Sequence, residues 1–255
     1  MTSTDDLLAL LPSPVPHERD EVAYAQLAER ISEGTEDGRL AAIGDRCATF
    51  LGHPAVQART FGALVLAEAV ERDAVAAELA PATVHGWQDA LCRWYLAEDD
   101  LRGWDPALGW LHAVAQGADA LGTLGRSRHT TRRRLTELVA VARDRLLTTG
   151  DVLLVNAEED RVAFAMVLAL SRPELSEDDA TGWLDPVRAA FAAGEPGPLP
   201  AWVSNMSHAL RALYVLAARG VRTPSDPGVL LVAPHRDAVL ETLARTMRET
   251  FRFIG

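Results

Sequence analysis

The sequence predicts an all-α protein built from helix pairs, either a HEAT- or armadillo-like α-solenoid or an α-α superhelix. Three observations predict it. Nearly every long segment carries apolar residues at helical rather than alternating spacing. Gly and Pro breakers cut the chain into about ten helical stretches. The first helices of successive pairs start near residues 17, 55, 107, 157 and 201, a period of about 40–50 residues, as in helix-hairpin repeats. The pairs show no visible similarity to one another, so a closed helical toroid fits the same spacing. One continuous domain over 1–255 is expected.

The elements follow in order. A short helix near 5–11 ends at the Pro12 to Pro16 run, and 17–32 forms a helix with Val22, Ala25, Leu27, Ala28 and Ile31 as its apolar stripe. Gly34 to Gly38 turns the chain into a helix over 39–51, which Gly52-His53-Pro54 stops. Helices over 55–72 and 74–79 follow, and Pro81 starts another that runs to Leu96. A loop rich in Gly, Trp and Asp spans 98–106, ahead of helices at 107–124 and 130–148. Helices at 157–171 and 177–193 form the next pair. After the loop 194–200 come a helix at 201–219, a loop at 220–227 and a final helix at 234–252. Val152 to Val155 and Val229 to Val232 suit either short strands or extended loops.

Composition limits the function. At 48% apolar residues, 255 residues are ample for a core. The net charge of −11 repels phosphate backbones and argues against general nucleic-acid binding. All the basic side chains are Arg, which excludes Lys Schiff-base and Lys P-loop chemistry. Cys47 and Cys92 have no metal-ligand spacing and read as buried thiols of a cytoplasmic protein. No basic leader is visible and no apolar run approaches a membrane span, so no membrane partner is expected.

No strong catalytic motif is present, and the motifs do not decide between an enzyme and a binding protein. Polar residues instead recur on the first helix of each pair: Arg19, Asp20 and Tyr24; Arg59 and Thr60; His112, Gln116 and Asp119; Glu159, Asp160 and Arg161; Asn205, His208, Arg211 and Tyr214. His112, Gln116 and Asp119 fall at i, i+4 and i+7, on one helical face. His112 and Asp119 are the candidate catalytic acid/base pair. Arg59, Arg161 and Arg211 are candidate anion holders, and Trp104 and Trp110 a flat apolar wall. Gln116, Asp160 and Tyr214 complete the candidate ligand contacts. Structural roles compete: Arg/Asp pairs can fix helices in register, and Asp20, Glu159 and Asp160 sit in first turns where the helix dipole favours carboxylates. The i, i+7 spacing is wide for a metal site, and no metal or cofactor is assigned. The basic run Arg126 to Arg134 reads as a solvated loop and helix start, or else as a dock for an acidic partner or nucleic acid.

Several stretches together resemble a known family. They are Arg19-Asp-Glu-Val-Ala-Tyr24, Arg59-Thr-Phe-Gly-Ala-Leu-Val65, Asp100-Leu-Arg-Gly-Trp104, Gly109-Trp-Leu-His-Ala-Val-Ala115, Ala118-Asp119, Glu159-Asp-Arg161 and Leu210-Arg-Ala-Leu-Tyr214. They are similar to the bacterial domain-of-unknown-function family 2785, over residues 17 to 215. The resemblance implies a helical-repeat fold and brings no activity with it. It also implies that many members carry a second His where this chain has Gln116, so a His-His-Asp metal site fits this chain less well than its relatives.

The expected function is a concave polar pocket that binds a small polar or anionic ligand, with general acid/base catalysis as an extension. The alternative is a protein-interaction scaffold without chemistry, the common use of such arrays. A nucleic-acid repair enzyme of the helical-repeat type is a third reading, which needs a positive channel that a chain of this charge is poorly placed to supply.

Overall fold

The computed structural model describes residues 2–194, 197–251 and 253. The fold is all-α, with two small two-stranded antiparallel sheets. The chain divides into two compact units, Met1–Thr130 and Thr131–Gly255.

In the first unit, α1 (Thr4–Leu10) is capped by Ser3, whose Oγ accepts the Asp6 N–H while the Asp6 carboxylate accepts the Ser3 N–H. A π-helical segment, His17–Tyr24, leads into α2 (Ala25–Glu33). The expected helix over 17–32 is therefore not regular. The wider turn buries Arg19 and Ala23, and the Ala25 N–H reaches back to the Asp20 carbonyl. Next come α3 (Leu40–Phe50), α4 (Val56–Ala76) and α5 (Pro81–Ala97). The sequence divided α4 into two helices, but one helix runs through to Ala76. It is buried on most of its circumference and packs on α2, α3 and α6 (Ala113–Arg126).

The main departure lies between α5 and α6. The expected helix over 107–124 starts only at Ala113, because Trp104–Asp105 (β1) and Gly109–Trp110 (β2) pair as an antiparallel hairpin. Asp105 Oδ1 accepts the N–H groups of Ala107 and Leu108, which closes the turn. Gly109 takes φ +72°, where a Cβ would also sit 3.1 Å from the Pro16 ring. Local side-chain bonding and this glycine favour the hairpin over helix. α6 then lies close on α5: a Cβ on Gly117 would meet the Tyr95 ring at 2.3 Å.

The second unit holds α7 (Arg132–Leu147), α8 (Glu158–Leu170), α9 (Glu177–Gly182), α10 (Asp185–Ala192), α11 (Ala201–Arg219) and α12 (Arg236–Arg248). α8 packs along α11, and α12 packs on α11 and α9. The expected helix over 177–193 is broken between Gly182 and Asp185. β3 (Val221–Thr223) pairs with β4 (Asp226–Leu231) in a hairpin that takes in most of the Val229 to Val232 run, whereas Val152 to Val155 forms no strand. Of the expected loop 194–200, Glu195 and Pro196 lie outside the described residues. The final helix ends at Arg248, four residues short of Arg252, which also lies outside them.

Candidate functional site

Each unit carries part of the residue set singled out in the sequence. Arg59, Trp104, Trp110, His112, Gln116 and Asp119 are in the first unit; Asp160, Arg161, Arg211 and Tyr214 are in the second.

In the first unit the loop after α5 is organised by Glu98, which sequence reasoning missed. Its carboxylate is buried and accepts Arg59 Nε–H and Nη2–H at 2.6 Å each, the Trp94 indole N–H at 2.7 Å and the Asp100 N–H at 3.0 Å. Burial pushes its pKa up, but the Arg59 fork, the Asp100 N–H and the Trp94 indole outweigh burial and hold it below the ordinary value. Arg59 Nη1 also donates to the carbonyls of His53 and Pro54. The Arg59 fork is thus committed to tying α4 to the loop. The signal for Glu98 in the sequence is a carboxylate at the very start of the 98–106 loop.

The hairpin that follows carries an aromatic stack. The Trp110 and His112 rings lie 4.4 Å apart and parallel within 8°, and Trp104 meets Trp110 edge-on at 4.9 Å. Trp104 and Trp110 are 50% and 44% exposed. His112 is not within the helix. It is the residue before α6, in left-handed backbone with φ 46°, and its carbonyl accepts the Gln116 N–H. The expected three-residue helical face therefore survives within α6 only for Gln116 and Asp119. Gln116 is 7% exposed, its Oε1 has no hydrogen-bond partner among the described residues, and Asp119 is half-buried.

Beneath the hairpin, Arg19 is fully buried. It bonds Asp20 and the Leu108 and Trp110 carbonyls, with its guanidinium carbon 4.8 Å over the Phe61 ring. Tyr24 packs edge-on against the same ring, and its hydroxyl donates to Glu68 Oε1 at 3.0 Å. Burial raises the Glu68 pKa; the Tyr24 bond opposes the rise and the charge of Glu71 adds to it.

In the second unit, α8 and α11 border a groove of about 630 Å³ lined by Asp160, Arg161, Phe164, His208, Arg211, Ala212, Val215 and Leu216. The α11 positions 208, 211, 212, 215 and 216 follow one helical face. Phe164, Ala212, Val215 and Leu216 give it an apolar lining, with the ionisable groups beside them. His208 Nδ1 lies 3.2 Å from Glu159 Oε1, a buried carboxylate. Arg211 makes no ion pair among the described residues. Three predicted residues, Asp160, Arg161 and Arg211, are thus brought together, and His208 joins them. Tyr214 is on α11 but does not line the groove, and its ring is exposed. Asn205 is structural: its side chain bonds the Leu154 N–H, Thr149 Oγ1 and the Val152 carbonyl.

The basic run Arg126 to Arg134 is exposed at Arg128, Arg132 and Arg133, and several of its arginines are also paired. Arg126 meets Glu71, Arg128 meets the buried Asp73, Arg132 meets Asp179, and Arg134 is itself buried. Among the described residues no group of three or more His, Cys, Asp or Glu is placed to hold a metal ion, and no helix is long and apolar enough to cross a membrane.

The fold and these sites define an all-α protein with a mixed-charge groove in one unit and an aromatic hairpin over a buried arginine in the other. The chain belongs to the family described as protein of unknown function (DUF2785), whose model matches residues 50–215. No curated protein and no solved structure matches it.

Proposed function

We propose that the protein binds a small organic anion in the α8–α11 groove, an apolar body against Phe164, Val215 and Leu216 and an oxyanion head toward Arg161 and Arg211. The observation that carries the reading is the lining itself: two guanidinium groups, one carboxylate and one imidazole beside an apolar surface, in a volume suited to a small ligand. The two guanidinium groups of Arg161 and Arg211 face one carboxylate in the lining, Asp160, with the Glu159 carboxylate behind His208, so the groove stands out from a chain of net charge −11. Two neighbouring guanidinium groups supply the donors an oxyanion accepts from. Asp160 and His208 supply polar contacts that would orient the ligand.

The test is thermal denaturation with benzoate, phenyl phosphate and octanoate. Saturable stabilisation of the wild type that is lost in the Arg161→Gln, Arg211→Gln double variant supports the reading. Both arginines are exposed, so the variant is expected to fold. Equal stabilisation of both proteins, or none of either, overturns it.

A second reading, general acid/base work by His112 and Asp119, draws support from the left-handed backbone at His112, since strained residues cluster at functional positions. His112→Gly relieves that strain. Stability equal to or above the wild type supports a functional role; a loss above about 2 kcal/mol makes the ring a structural member of the Trp110 stack.

A further inference from the structure

Arg19 is 0% exposed and keeps one donor unused. Its Nε–H bonds Asp20 Oδ1 at 2.6 Å, and Nη2 donates to the carbonyls of Leu108 at 2.9 Å and Trp110 at 3.4 Å. Nη1 has no acceptor among the described residues. A buried charged donor left without an acceptor costs stability, so its retention calls for an explanation. Arg19 itself sits in the π-helical segment, a backbone form often found at functional positions.

The β1–β2 hairpin is held by the Arg19 bonds, by the Gly103 carbonyl, which accepts the N–H groups of Leu111 and His112, and by Gly109 against Pro16. Two of its residues, Trp104 and Trp110, present large exposed rings. Nη1 carries two N–H groups, and an oxyanion can accept charge-assisted bonds from both.

We propose that Arg19 binds the oxyanion head of a small ligand through Nη1 beneath the β1–β2 hairpin, a site separate from the α8–α11 groove. The hairpin opens to admit the ligand and closes over it, and Trp104 and Trp110 report the event.

The test is tryptophan fluorescence titrated with inorganic phosphate and, separately, with acetate, at constant ionic strength balanced by chloride. It is run on the wild type and on the Arg161→Gln, Arg211→Gln variant, which removes the groove's charges. A saturable change with either anion, retained in that variant, is expected, and the anion that produces it names the ligand class. Arg19→Lys keeps the charge and loses Nη1 with its two N–H groups, and should weaken binding about tenfold or more. Hydrogen exchange on the wild type does not depend on that variant folding: the Leu111 and His112 amides should exchange more slowly with the anion bound. No saturable change and no slowing in the wild type overturns the proposal, as does unchanged affinity in a folded Arg19→Lys protein.

Discussion

Glu98→Gln is expected to destabilise the first unit far more than the loss of an ordinary surface ion pair. The wild-type carboxylate accepts N–H groups from Arg59, Trp94 and Asp100, and its side chain is almost wholly enclosed. Glutamine keeps one acceptor oxygen and turns an NH₂ toward donors, so at least one charged bond is lost and the Arg59 guanidinium loses its bonded carboxylate, keeping only the neighbouring Asp99 and Asp100 charges. Removing one partner of a buried ion pair costs about 3–5 kcal/mol. An exposed pair is worth about 0–1 kcal/mol. The structure places this pair nearer the first case, and the loss is a large share of a typical total of about 5–15 kcal/mol. Urea denaturation followed by circular dichroism and tryptophan fluorescence measures it. The pH dependence has a definite sign. The folded-state pKa of Glu98 is depressed, so its stabilisation is full above the ordinary value of 4.5 and fades as pH falls below it. The gap between wild type and variant should close in the same direction. A loss below about 1 kcal/mol at neutral pH would refute the reasoning.

Glu68 should behave in the opposite sense. Its pKa is raised, so the folded state holds the proton more tightly and stability falls as pH rises above 4.5. Glu68→Gln keeps an acceptor for Tyr24 and should be neutral near pH 4 and stabilising at pH 7, as read from urea midpoints; a loss at pH 7 contradicts this. Gly109→Ala should cost more than about 1 kcal/mol, because φ +72° and the Pro16 ring both oppose a Cβ, and amide exchange at Leu111 should quicken. The expectation of one domain over 1–255 implies one cooperative unfolding transition by calorimetry; two resolved transitions would show the units unfolding separately.

Several helix starts are legible where Gly or Pro punctuation coincides with apolar periodicity. The start of α11 after Pro200 and that of α5 at Pro81 are examples. The hairpin before α6 is not, because Ala107 to Trp110 reads as helical by composition while the Asp105 turn and the Gly109 backbone decide otherwise. For the same reason His112 reads as part of the helix, although it stands just before it. On α11, His208 and Arg211 share the face that borders the groove, whereas Tyr214, grouped with them in the sequence, falls off it. The buried partners of charged residues were not legible, since the ion pair of Arg59 with Glu98 is 39 residues long in sequence and only the fold brings its ends together. The π-helical turn that encloses Arg19 left no periodic signature either.

The most direct test of the central claim is calorimetric titration of the wild-type protein with benzoate and with its neutral amide, benzamide. The two have nearly the same apolar body and differ in the oxyanion. Arg161 and Arg211 beside Phe164, Val215 and Leu216 predict that the acid binds with defined stoichiometry and the amide binds far more weakly. Equal affinity for both would contradict an anion-holding role for the two arginines.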